Sequence, residues 1–260
     1  MSLLRCIVIA TLACFWGMLL PGCVTTTDNV FSDEASPEDA MQRRVELARQ
    51  YIGEGDWENA KRNLKLAVEI DADSAEIHEA FALVYQSTGE YELAEQSFRN
   101  ALQLDPEFSR LRNNYAAFLF MQQRYQEAET HLERVVSDPL YSARPMAYTN
   151  LGLCRLQLSD ASGAEAAFTR VLTMDRTNQI ALLELAHLRF EAGDYAASAG
   201  HYGIYRTAVR PQSARSLWLG IRLSKALGDV NAEGSYILAL RNLYPQSAEY
   251  KAYQRARQSD

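Results

Sequence analysis

Hydrophobic and polar positions divide the chain into three zones. From Cys6 to Leu20 a run of 15 residues is almost wholly apolar, follows one positive charge at Arg5 and holds no acid. A membrane-spanning helix needs about 20 such residues, so the run has the length of the apolar part of a secretory signal instead. From Val24 to Pro37 the stretch VTTTDNVFSDEASP is polar and acidic without any apolar period, which predicts a tether. From about Met41 to Ser247 the pattern becomes periodic.

The period is long. Gly55-Asp56-Trp57, Gly89-Glu90-Tyr91 and Gly193-Asp194-Tyr195 mark it, and the first two glycines stand 34 residues apart. Counting onward lands on Gln123 after 34, Ser159 after 36, Gly193 after 34 and Gly228 after 35. Self-similarity of this kind is the signature of a stacked repeat architecture. Five residues beyond each mark stand Ala60, Ala94, Ala128, Ala164, Ser198 and Glu233, small in all units but the last, where two helices must cross closely. Nine beyond stand Leu64, Phe98, Leu132, Phe168, Tyr202 and Ile237, each large enough to fill the gap between neighbours. Pro106, Pro139, Pro211 and Pro245 punctuate the junctions, and glycine at a mark can adopt the left-handed backbone that ends one helix before its partner begins.

This period, with Leu151-Gly152 and the series from Gly89 to Pro106, resembles the tetratricopeptide repeat (TPR). The resemblance implies an all-α right-handed superhelix of about six helical hairpins. No hairpin buries its own apolar face, so hairpins stack and leave a concave inner surface. The segment AEYKAYQRARQ after Ser247 reads as a terminal helix that covers the last hairpin. The expected organisation is a signal peptide over 1–22, a lipidated N-terminus and tether over 23–40, six repeat units over 41–247, and a capping helix and tail over 248–260.

Leu20-Pro21-Gly22-Cys23 resembles a bacterial lipobox, in which a cysteine is acylated on sulfur and becomes the first residue; Pro21 departs from the usual pattern. No A-x-A-like alternative cleavage site follows the apolar run. Several acyl chains on Cys23, at about 0.8 kcal/mol per buried methylene, make a lasting anchor. Val24 stands where an aspartate would resemble an inner-membrane retention signal, so the resemblance implies the periplasmic face of the outer membrane. Of the four cysteines, Cys6 and Cys14 would leave with the signal and Cys23 would carry lipid, so Cys154 stands alone without a disulfide partner. Removing residues 1–22 leaves 25 basic against 33 acidic residues, a formal charge of −8, which argues against nucleic acid as a partner.

Candidate chemistry does not assemble along the chain. His78, His131, His187 and His201 lie far apart on the repeat map, and IHEAF at 77–81 lacks the second histidine of a metal-binding helix. GEGDWE at 53–58 lacks the third glycine of a dinucleotide loop and reads as an interhelix turn. Asp71 and Asp73 fall at a junction, where they are expected to cap the next helix. Cys154 has no histidine in register and reads as a buried small apolar residue. The expectation is a non-enzyme without cofactor apart from the acyl lipid on Cys23.

In the TPR family the first helix of each hairpin lines the groove, with positions 5, 6, 9 and 12 pointing inward. Carried onto this chain, the third unit presents Asn113, Asn114, Ala117 and Phe120, and the fourth Thr149, Asn150, Leu153 and Leu156. The fifth presents Leu183, Glu184, His187 and Phe190. The implied groove is apolar, with carboxamides that can bond the main chain of an extended partner. Phe120, Leu156 and Phe190 could equally pack between hairpins.

Four runs narrow the resemblance: RNNYAAFLF at 112–120, DPLY at 138–141, ALLELAHLRFEAGDY at 181–195 and QSARSLWLGIRLSKALGD at 212–229. With the lipobox, they resemble the type IV pilus biogenesis and stability lipoproteins, the PilF/PilW family, whose members act as pilotins. That resemblance implies a monomeric outer-membrane lipoprotein that binds the type IV pilus secretin and promotes its localisation and multimerisation, for pilus biogenesis and twitching motility. The rival reading is a general TPR scaffold lipoprotein of another cell-envelope complex. An enzyme would need an acid/base or nucleophile constellation, which these residues do not supply.

Overall fold

The marks of the repeat are helix boundaries because each couples a stop to a start. Gly55, Gly89, Gly193 and Gly228 have φ between 74° and 81°, and Gln123 and Ser159 take the same left-handed conformation at 61° and 62°. A non-glycine residue pays a steric cost there, so its recurrence at the two marks that lack glycine shows the repeat geometry overriding local preference. The next residue then opens the following helix: the carboxylates of Asp56, Asp160, Asp194 and Asp229 each accept from the backbone N–H three residues on.

The computed structural model describes residues 36–259, and thirteen α-helices occupy nearly all of that span. Six hairpins follow one another: α1 Pro37–Glu54 with α2 Trp57–Val68, α3 Ala75–Thr88 with α4 Tyr91–Leu104, and α5 Ser109–Met121 with α6 Tyr125–Ser137. Then come α7 Arg144–Gln157 with α8 Ala161–Met174, α9 Gln179–Glu191 with α10 Tyr195–Ala208, and α11 Ala214–Leu227 with α12 Val230–Leu243; α13 Ala248–Ser259 closes the stack. The signal segment, Cys23 and the tether to residue 35 lie outside the described residues.

The core is a string of clusters that straddle unit boundaries. Ala60, Ala94, Ala128, Ala164 and Ser198 are fully buried, as are Leu64, Phe98, Leu132 and Phe168. Phe98 stacks on Tyr115 at 5.2 Å and meets Phe118 at 5.5 Å, so the plug of the second unit is gripped by the first helix of the third. Gly152 lies against Phe168 so closely that a Cβ would sit 2.6 Å from the ring. First helices of successive hairpins touch one another at α1–α3, α3–α5, α5–α7 and α9–α11, whereas second helices of successive hairpins make no contact of comparable extent. The stack therefore curves with the first helices inside, which makes it a TPR superhelix.

Two boundary details differ from the sequence reading. Helix α1 begins at Pro37, not near Met41, because Ser36 and Asp39 form a capping box: the Ser36 hydroxyl accepts from the Asp39 N–H at 3.1 Å and the Asp39 carboxylate accepts from the Ser36 N–H at 3.3 Å. Asp71 and Asp73 do not cap α3, whose N-cap is Ser74; Asp71 instead accepts from the Asp73 N–H at 3.0 Å. The same turn recurs at Asp105, Asp138 and Asp175, so the acid shapes the junction itself. In the last hairpin α12 buries only Leu240, where Glu233 replaces the small residue, and Tyr250 and Tyr253 of α13 cover the cluster around Leu217, Ile221 and Leu240.

Candidate partner-binding groove

Because the first helices form the inner wall, residues that recur at one position of successive first helices face neighbours across the unit boundary. The strongest such contact centres on Glu79 of α3. Its carboxylate accepts from Arg49 of α1 at 2.9 Å, from Arg110 of α5 at 3.0 and 3.1 Å, and from the Asn114 carboxamide at 2.8 Å. One acid thus ties three hairpins together. A second bridge joins Glu184 of α9 to Arg215 of α11 through both carboxylate oxygens, one of them at 2.7 Å; that hydrogen bond holds the Arg215 guanidinium in its charged form and raises its pKa. Between the two, Asn150 of α7 donates to the Asn113 Oδ1 of α5 at 3.1 Å.

Burial within these pairs is one-sided. The Glu79 side chain is 1% exposed, against 22% for Arg49 and 40% for Arg110, and Glu184 is 9% exposed against 48% for Arg215. The carboxylates lie beneath and the guanidinium groups face outward.

Between these charged ends the wall is apolar. Ala116, Ala117 and Phe120 of α5, Leu132 of α6, and Asn150, Leu153 and Cys154 of α7 line a pocket of about 80 Å³. The Phe120 ring meets Tyr125 edge-on at 5.1 Å. Cys154 is fully buried, and burial first, then the charge of Glu129, pushes its thiol pKa up to about 12, so it contributes shape and no nucleophile. Asn150 is the one polar side chain in the lining. One N–H of its carboxamide is given to Asn113, leaving the second N–H and Oδ1, and Asn114, which gives one N–H to Glu79, is in the same condition.

The positions expected to line the groove do not form one stripe. Phe120, Asn150 and Leu153 come together at the pocket, with Asn114 beside them on α5. Leu183, His187 and Phe190 belong to the fifth unit, where Phe190 lies under the Arg222 guanidinium at 4.4 Å and against Tyr195 at 5.2 Å. Leu156 packs against the cluster of Phe168, and Leu183 against that of Tyr202, each half-buried. Asn113 and Thr149 do not face an open groove: both are buried, Asn113 as the acceptor for Asn150 and Thr149 as a donor to the Pro145 carbonyl at 2.8 Å. Position 5 of the third unit points at the adjoining hairpin, whereas Thr149 bonds back onto its own helix. The His187 imidazole is held neutral, its pKa lowered to about 3 by burial and by the charges of Arg215 and Arg222, and its Nε2 has no hydrogen-bond partner.

Glu79, Arg49, Arg110, Arg215 and Arg222 were not singled out by the sequence reading. A legible trace exists, since Glu79 to Arg110 and Glu184 to Arg215 share a separation of 31 residues. Among the described residues no group of three or more His, Cys, Asp or Glu is placed to hold a metal, and no helix is long and apolar enough to cross a membrane.

Known proteins share this architecture. The tetratricopeptide-repeat profile matches residues 87–138 and 149–212. The type IV pilus assembly protein PilF of Pseudomonas aeruginosa is 37% identical over 236 residues, which is 90% of this chain and 93% of that protein. A solved structure of that PilF superposes with a TM-score of 0.81, covering 85% of this chain and 99% of the other at 37% identity. The crystal structure of PilW, described as a widely conserved type IV pilus biogenesis factor, superposes with a TM-score of 0.70 at 27% identity, covering 82% and 98%.

Proposed function

Because this chain belongs to the PilF/PilW family of tetratricopeptide-repeat proteins, whose members serve type IV pilus biogenesis, we propose that it is a pilotin. It acts through protein–protein contacts, as a TPR stack does, with no chemistry of its own. Its partner is the type IV pilus secretin, which it binds and brings to the outer membrane for assembly into a multimeric ring. Cys23 carries the acyl anchor, which places the superhelix on the periplasmic face of that membrane. The observation that carries this reading is the match to PilF along nearly the whole of both chains, so the likeness extends beyond a generic repeat.

Two strains test it. A clean deletion is expected to lose heat-stable secretin multimers while secretin monomer is still made; normal multimers would refute the pilotin reading. Cys23→Ser is expected to yield a chain with intact helices that no longer fractionates with the outer membrane, since the described helices begin after Ser36 and are held by contacts among themselves. Palmitate labelling of the Cys23→Ser chain would refute the anchor.

A further inference from the structure

Building on the reading that Cys23 anchors the chain, we propose that the edge formed by the later junctions rests on an anionic phospholipid surface. Every first helix runs from a junction to a mark and every second helix runs back, so all junctions share one edge of the stack, and α1 enters from that edge at Pro37. Thirteen residues separate Cys23 from Ser36, a span of at most about 45 Å. Three hairpins at helix-packing distances put the junction before α7 about 30 Å along the edge, within that reach.

Two observations set this part of the edge apart. Large apolar side chains stand in water there: Leu140 is 90% exposed in the junction between α6 and α7, and Met146 on α7, Ile180 on α9 and Leu243 on α12 are each about half exposed. The arginines beside them carry no ion pair among the described residues: Arg170, Arg176, Arg210 and Arg241 are exposed, and Arg144 donates to the Val136 carbonyl at 3.2 Å. In the earlier hairpins, by contrast, Arg49, Arg110, Arg124 and Arg155 are tied to acids of neighbouring helices. Two acids oppose the five cations. Asp138 accepts from the Leu140 N–H at 2.9 Å and Asp175 from the Thr177 N–H at 3.0 Å, each turned into its own junction, which leaves three positive charges in excess. Glu107 is paired with Arg134, and Glu249 at the start of α13 interacts with Arg215 of the inner wall. The first junction has the opposite sign, with Glu69, Asp71 and Asp73, and at the second Asp105 acts on Arg112, so contact begins only at Leu140. An arginine stem lies along apolar lipid while its guanidinium bonds phosphate, and large apolar residues between such stems enter the headgroup layer. Leu140 projects from the longest repeat spacing, 36 residues, which makes the edge uneven in a way that a fluid bilayer accommodates.

The test takes the whole mature chain with Cys23→Ser, so that no acyl group can insert, and measures co-sedimentation with two kinds of vesicle. Reversible binding is expected to vesicles of equimolar phosphatidylcholine and phosphatidylglycerol, at least about fivefold weaker to phosphatidylcholine alone, and several-fold weaker as salt is raised. Such contact is too readily reversed to hold the unlipidated chain on the outer membrane through fractionation. Leu140→Ser should keep its melting temperature and lose about tenfold in vesicle affinity, as expected when one leucine no longer leaves water. Arg176→Gln should lose about fivefold. Arg62→Gln, which changes an exposed arginine in the middle of α2, should lose nothing. No binding, equal binding to both kinds of vesicle, full affinity in Leu140→Ser, or equal losses in Arg62→Gln and Arg176→Gln would overturn the proposal. So would a Leu140→Ser chain that binds vesicles fully but fails to support secretin multimers in cells, which would make the patch a protein contact. The vesicle result leaves the earlier readings untouched: palmitate labelling judges the anchor, and multimers in the deletion strain judge the pilotin.

Discussion

Replacing Glu79 with alanine removes the one group on which the first three hairpins converge. The lost acceptor served Arg49, Arg110 and Asn114 at 2.8 to 3.1 Å. Breaking a buried ion pair by deleting one partner costs about 3–5 kcal/mol when the survivor stays buried and uncompensated. Here the survivors are half-exposed and can turn toward water, and Arg49 and Arg110 keep Glu76 nearby, so the expected loss is smaller, about 2–3 kcal/mol. The decisive quantity is the coupling in a double-mutant cycle with Arg110→Ala, expected at about 1–2 kcal/mol because three hydrogen bonds join the two side chains. Urea titration followed by far-ultraviolet circular dichroism gives both numbers. Because a repeat stack can lose its terminal units separately, hydrogen exchange at α1 should be read in parallel, and its protection should fall before that of α5 and α7. A Glu79→Ala chain within about 0.5 kcal/mol of the parent, or additive effects of the two substitutions, would show that the bridge does not hold the units together.

Gly152→Ala should lower the melting temperature, since a Cβ 2.6 Å from the buried Phe168 ring forces repacking that costs about 1–3 kcal/mol, more than the gain in helix propensity of about 1 kcal/mol. Gly200→Ala, which meets nothing within 4 Å, should raise it, and the same sign for both would refute the packing argument. His187 titrates near 3 folded and near 6.5 unfolded, so the unfolded chain binds the extra proton between those values; its contribution therefore declines as pH falls from about 6.5 towards 3, by up to about 1.4 kcal/mol per unit. His187→Gln should flatten that part of the pH–stability curve, and an unchanged slope would count against the burial. Phe120→Ala should cost about 1–2 kcal/mol, less than for a fully buried ring, and should also weaken binding of the secretin; a lowered melt with unchanged affinity per folded molecule would return the ring to the core.

The sequence alone was enough to place every hairpin, because the marks of the repeat report local physics. A left-handed residue has to end each first helix, a small residue has to sit where two helices cross, and a large one has to fill the space beyond. These demands recur every 34 to 36 residues, and the count remained in register even where Gln123 and Ser159 stand in place of glycine. The resemblance to the TPR family, carried onto this chain through the same count, set Asn114, Phe120, Asn150 and Leu153 on the inner helices. Which inner side chains face the groove and which face the next hairpin depends on how each hairpin is rotated against its neighbour, and no period within a unit encodes that rotation. Only the tertiary structure could turn Asn113 into the boundary between units, commit one N–H each of Asn114 and Asn150, and bring Arg49 and Arg110 from opposite sides onto Glu79. Those contacts join residues 30 to 37 positions apart, beyond the reach of any pattern within one unit.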